Sequence, residues 1–150
     1  MQNFLIEKNV FNNILSLLVA ITGEIGNNSF DHNLGNWPDM PGIFFGYDIN
    51  KKEIVLADRG QGILKTLQRV VPDLNNCRDA LSIAFTEVIS GRSPEERGNG
   101  LKFVRKIVFK NPIDLFFQSG DCQLEIKQNI DIDIEKSKKF IKGCIAIIKF

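Results

Sequence analysis

Histidine occurs once in the 150-residue chain, as His32, and cysteine three times, as Cys77, Cys122 and Cys144, with no CxxC spacing. That scarcity argues against a zinc site. Three scattered thiols are expected to be reduced and mostly buried, as in a cytosolic protein. One Trp and one Tyr stand beside twelve Phe, a bias toward packing and away from exposed stacking platforms. The formal net charge of +1 gives no electrostatic case for nucleic acid or an anionic membrane as a main partner. No apolar run approaches the roughly 18 residues that span a bilayer, and "MQNFLIEKNVFNN" has neither a basic n-region nor a cleavage signal. The expected location is the cytoplasm. Internal repeats, low-complexity tracts and dividing linkers are also missing. Residues 1–150 are therefore expected to form one domain, large enough to bury about two-thirds of the surface its unfolded chain exposes.

What is present is patterned. Phe11, Ile14, Leu15, Leu18, Ile21 and Ile25 recur at three- and four-residue steps, predicting an amphipathic helix over about residues 10–33. Gly26 inside it costs about 1 kcal/mol relative to Ala, which points to close packing there. "NLGNWPDMPG" reads as a loop, and "IFFGYDI" and "EIVLAD", separated by "NKK", as a hairpin. "ILKTLQRVV" predicts a short helix ended by Pro72. Cys77, Leu81, Ala84, Phe85 and Val88 mark another, capped by Asn75 or Asn76. A breaker-rich loop, "SGRSPEERGNG", precedes a helix whose apolar stripe is Leu101, Val104, Ile107 and Val108. Strands are expected at "IDLFFQ", "CQLEIKQ" and "CIAIIKF", the first two joined by "SGD". "IDIDIEKSKKFIK" is ambiguous: an edge strand by its alternating isoleucines, a solvated connection by its lysines. The order helix, two strands, helices, three strands predicts an α+β, two-layer arrangement. Its sheet is mixed but mostly antiparallel, with helices on one face.

Three stretches carry chemistry. "EIGNNSFDHN" places Glu24, Asn28 and His32 at i, i+4 and i+8 on one helical stripe, with Asp31 beside them. "LADRGQGI" ends a strand with Asp58 and sets Gly60 and Gly62 two apart. "ERGNGL" sets Gly98 and Gly100 two apart where a loop becomes a helix. Glycines so placed let backbone approach a flat or charged ligand, and a helix starting at Gly100 points unpaired N–H groups outward, which suits a polyphosphate. Neither pair is a P-loop, because no Lys-Ser/Thr follows. Neither completes GxGxxG, because positions 65 and 103 are Lys and Phe. Singly, either pair also fits a plain turn.

In this order, E-x3-N-x3-H on a helix, DxGxGI after a strand and RGxGL opening a helix resemble the N, G1 and G2 boxes of the Bergerat-fold (GHKL) ATPases. That superfamily holds gyrase, histidine-kinase catalytic domains, MutL and the anti-sigma-factor kinases. The resemblance covers nearly the whole chain, including the final glycine-led strand. It implies ATP and Mg²⁺ as ligands, with Asn28 giving its side-chain oxygen to the metal and Glu24 orienting or deprotonating the attacking group. By the same resemblance, Asp58 receives the exocyclic amine of adenine. Gly60, Gly62 and Ile63 border the base, and Gly98, Asn99, Gly100 and Leu101 border the phosphates. Arg97 either reaches the terminal phosphate or is an exposed loop arginine. His32 either packs near the metal or is structural. Residues 64–97 correspond to the family's ATP lid, with Gly91 and "SPEERG" as a hinge. Many relatives have Thr where this chain has Cys144 near the adenine. A thiol donates weakly, which leaves base recognition there looser or water-mediated.

The resemblance does not choose an activity. A second histidine and its helical hairpin are missing, so a self-contained sensor kinase is not expected, and the length leaves no room for the transducer domain of gyrase or MutL. Three readings are implied. The first is a small serine/threonine kinase of the anti-sigma-factor type acting on a separate STAS-like or sigma-factor-like protein. The second is an ATP-hydrolysing switch in a two-gene stress or toxin–antitoxin module. The third is a non-catalytic sensor of ATP and ADP. A homodimer is compatible with each.

Overall fold

The computed structural model describes residues 2–87 and 99–150, with side chains from residue 13 onward. The chain runs α1 (Gln2–Asp31), β1 (Ile43–Asp48), β2 (Glu53–Asp58), α2 (Gly62–Leu67), α3 (Cys77–Thr86), α4 (Gly100–Lys110), β3 (Asp114–Lys127) and β4 (Ile130–Lys149). The four strands form one sheet in the order β1-β2-β4-β3. Every pairing is antiparallel, so the mixed sheet expected from sequence is replaced by a uniform one. Among the described residues, no helix is long and apolar enough to cross a membrane.

Side chains alternate across the strands, so register decides what each row of the sheet offers the helices. One face carries Ile54–Ile148–Leu115, then Leu56–Ala146–Phe117, then Asp58–Cys144–Ser119. The first two rows are apolar and enter the core with Ile21, Ile25, Leu81, Phe85, Val104 and Val108. The third row is polar and lies where α1 ends. The polar row therefore begins where the apolar core stops. Helix α3 is fixed over the sheet by an edge-on ring contact between Phe85 and Phe117, centroids 5.4 Å apart.

Helix α1 begins well before the expected residue 10 and ends at Asp31. His32 thus follows the helix, in a turn that bonds back to Asn28. A Cβ on Gly26 would sit 3.7 Å from Leu56 Cδ2, an ordinary contact that seats α1 on β2. Asn76, one of the two expected caps, accepts from the Asp79 N–H at the start of α3. "IDLFFQ", "SGD" and "CQLEIKQ" form one long strand, because Gly120 (φ +62°) absorbs a register shift within the ladder that a turn would have broken. "IDIDIEKSKKFIK" joins the closing strand as the first part of β4.

One expectation is overturned. Cys77 and Cys122, 45 residues apart, form a disulfide with an S–S distance of 2.11 Å. Their spacing in sequence carried no pairing signal; the packing of α3 on β3 creates the proximity. Cys144 is the one free thiol among the three.

Candidate functional site

Asp58 ends β2 with its carboxylate turned into the protein, 8% exposed. A carboxylate there needs donors. Ser29 Oγ donates to Oδ2 at 3.0 Å, while the Gly60 N–H and Asn33 Nδ2 donate to Oδ1 at 2.8 and 3.4 Å. Burial raises the pKa of Asp58 above its ordinary value, opposed by the hydrogen bonds from Gly60, Ser29, Cys144 and Asn33. The result is an acceptor held in place, with some reluctance to ionise.

Ser29 and Asn33 are functional neighbours that the sequence reading passed over. They extend the buried stripe Leu18, Ile21, Ile25 by further helical turns, at 6% and 3% exposure. A polar residue at a core position of an amphipathic pattern signals an internal partner, and that was the legible clue. Asn33 also ties α1 to the glycine loop. Its Oδ1 accepts from the Gln61 N–H at 2.9 Å, and its Nδ2 donates to the Ser29 carbonyl at 2.9 Å. Gly60 is a close approach: an added Cβ would collide with the Asn33 amide. Gly143 is equally close, since a Cβ there would collide with the Asp58 carbonyl oxygen, and its φ is +85°.

A cleft that opens to solvent lies beside this acceptor. Asn28, His32 and Asp58 give it polar walls, Ile25, Ile63 and Leu101 apolar ones. Gly62 and Cys144 also line it, as do Thr66 and Phe117, which the sequence did not flag. Cys144 Sγ is 3.6 Å from Ser119 Oγ. Burial, and then the charge of Asp58, push its thiol far up, so it stays protonated. Outside the cleft lining, Asp39 from the loop after α1 pairs with Lys142 Nζ at 2.9 Å and Arg59 at 2.8 Å. Those two cations hold its carboxyl well below the usual range.

The second polar centre lies at the start of α4. A Cβ on Gly100 would be 2.5 Å from Glu24 Oε2 and 3.8 Å from Asn28 Nδ2. The tips of Glu24 and Asn28 thus converge on the first turn of a helix whose Phe103 N–H bonds back to the Asn99 carbonyl. Glu24 and Asn28 meet at Gly100; Asn28 and Leu101 share the cleft lining with Asp58, Gly62, Ile63 and Cys144, and Gly60 donates to Asp58 from outside that lining. Asp31 is exposed at the end of α1 and is not part of the cleft lining. Arg97, Gly98 and the Gly91 hinge lie outside the described residues. Asn99 is exposed.

The sequence matches no family model and no curated protein. Its fold is similar to the ATPase region of Saccharomyces cerevisiae topoisomerase II bound to ICRF-187 (dexrazoxane). The TM-score is 0.55 at 15% identity, over 87% of this chain and 37% of that one. A second structure of the same yeast ATPase region gives 0.55 and 15%, over 85% and 36%. The chain spans little more than a third of the length of those structures. At this identity the likeness establishes the fold alone, an α+β fold with an antiparallel sheet.

Proposed function

We propose that this chain binds ATP with Mg²⁺ and acts as a small protein kinase of the anti-sigma-factor type, transferring phosphate to a hydroxyl of a separate STAS-like or sigma-factor-like protein. The observation that carries the reading is the convergence of Glu24 and Asn28 on Gly100, with Asn28 lining the same cleft as the buried acceptor Asp58. That arrangement has the polarity of a nucleotide: an acceptor for the base amine, then a helix start and a metal-binding amide for the phosphates. The resemblance of the three sequence boxes and the fold likeness support the same assignment.

In this reading, Asp58 takes a hydrogen bond from the adenine amine, where guanine presents an acceptor instead. Gly60, Gly62 and Ile63 let the base lie close to backbone. Asn28 offers its Oδ1 to the metal, and the first N–H groups of α4 face the phosphates. Bound Mg²⁺ would neutralise part of the phosphate charge. Glu24 takes the proton of the attacking hydroxyl. Cellular ATP places its action in the cytoplasm.

Labelled ATP, Mg²⁺ and a co-encoded small protein are expected to yield label on a serine or threonine of that protein. Glu24→Gln should slow transfer by about 10²–10⁴-fold while leaving ATP binding nearly unchanged. Asn28→Ala should remove mainly the Mg²⁺ dependence of binding. A second reading, hydrolysis that drives a switch in a two-gene module, draws on the fold likeness to an ATPase region. Label appearing solely as free phosphate would favour it over the kinase.

A further inference from the structure

Cys77 and Cys122 belong to parts of the fold that the proposed function treats differently. Cys77 is the first residue of α3, inside the 64–97 stretch assigned to the lid, whereas Cys122 lies on β3 beside the register break at Gly120. Helices α2 and α3 share a small core of Leu67, Leu74 and Ala80. Helix α2 in turn gives Ile63 and Thr66 to the wall of the cleft. Where α3 is held therefore decides where that wall stands. Leu81 and Phe85 pack it into the main core, and three specific contacts add to that packing: Phe85 against Phe117, an Arg78 guanidinium hydrogen bond to the Ile134 carbonyl at 2.6 Å, and the disulfide. The first two break and re-form thermally. The third changes only by chemistry.

Both cysteines are buried, at 8% and 7% exposure, beneath exposed Asn75, Asn76 and Arg78, so a small thiol reaches the bond when the first turn of α3 opens. Cys144 is no competitor, since it lies in the cleft and is not disulfide-bonded. With the cytoplasmic location proposed above, such a disulfide is of the transient, redox-sensing class.

We propose that Cys77–Cys122 is a thiol–disulfide exchange site, with a small thiol of the glutathione class as co-reactant, and that its state sets the affinity of the cleft for nucleotide. One thiolate attacks either sulfur, forming a mixed disulfide and releasing the other cysteine as a thiolate that takes up a proton. A second small thiol attacks the mixed disulfide, leaving two protein thiols and one small disulfide, so two electrons have moved. Oxidation is the reverse. The oxidised chain holds the α2–α3 wall in place before nucleotide arrives. The reduced chain must order it on binding, which weakens affinity. The affinity claim rests on the cleft being an ATP site.

The test uses the full chain, oxidised or reduced with dithiothreitol, with thiols counted after denaturation. One thiol is expected in the oxidised state and three in the reduced state. Calorimetry with ATP and Mg²⁺ should show affinity weakened about fivefold or more on reduction, and amide exchange over residues 62–86 should accelerate. A Cys77→Ser/Cys122→Ser variant should match the reduced protein and ignore dithiothreitol. Equal affinity and equal exchange in the two states would overturn the proposal, as would three free thiols at an oxidising glutathione ratio. An exchange difference without ATP binding in either state would refute the ATP reading and the affinity claim while supporting the exchange site.

Discussion

Asp58→Asn is expected to abolish most of the stabilisation that ATP gives the protein. At ATP a hundred times its dissociation constant, the wild type should gain about 2.7 kcal/mol, a rise of roughly 8 °C in melting temperature. The variant keeps the size of the side chain but turns an amide toward the donors of Ser29, Asn33 and Gly60, and loses the charge that faces the base amine. The same residue sets a pH dependence. Burial raises the folded-state pKa of Asp58 above its unfolded value. Its contribution to stability without nucleotide is therefore present at low pH and lost as pH rises through the folded pKa. Nucleotide binding runs the other way, because protonation removes the acceptor: ATP affinity should fall as pH drops through that raised pKa. Melting curves with and without ATP across the acid range, for wild type and Asp58→Asn, check both statements. An unchanged ATP shift in the variant would remove Asp58 from base recognition.

Gly143→Ala should cost stability on a comparable scale, about 3 kcal/mol. The residue adopts φ +85°, where an alanine is strained. The new methyl would also meet backbone and not the yielding end of a side chain: the Asp58 carbonyl oxygen, with Asp58 C and Gly60 N at 2.7 Å. Relief requires β4 and the glycine loop after β2 to separate, which moves Asp58 away from Ser29. Urea unfolding should show a lower midpoint with an unchanged slope, and ATP should stabilise the variant less than the wild type. A loss below about 1 kcal/mol would mean that the two segments are not in such contact.

Much of this was legible before any coordinates, for reasons that differ by element. The hairpin β1–β2 and helix α4 announced themselves through turn residues and a clean apolar stripe, which are local signals. Asn28 and Asp58, which line the cleft, stood out in the sequence because they sit at fixed offsets within a helix and a strand. Ser29 and Asn33 escaped because they occupy core positions, where polarity makes sense only once Asp58 is seen across from them. Phe117 and Thr66 could not be found by spacing, since they reach the cleft through sheet register and the placement of α2. The disulfide was invisible for the same reason, being set by the docking of α3 on β3. The long β3 was broken in two because "SGD" has turn composition, whereas a single glycine at φ +62° lets the ladder continue through it. The start of α1 was placed too late because its polar Asn and Lys residues dilute the stripe used to find it.

The most direct test of the central claim is a crystal structure of the full chain with Mg²⁺ and a non-hydrolysable ATP analogue. The account predicts the exocyclic amine of adenine at about 3 Å from the Asp58 carboxylate, with the metal at the Asn28 side chain and the phosphates against the first turn of α4. A nucleotide bound elsewhere, or lying in the cleft with its base turned away from Asp58, would contradict it.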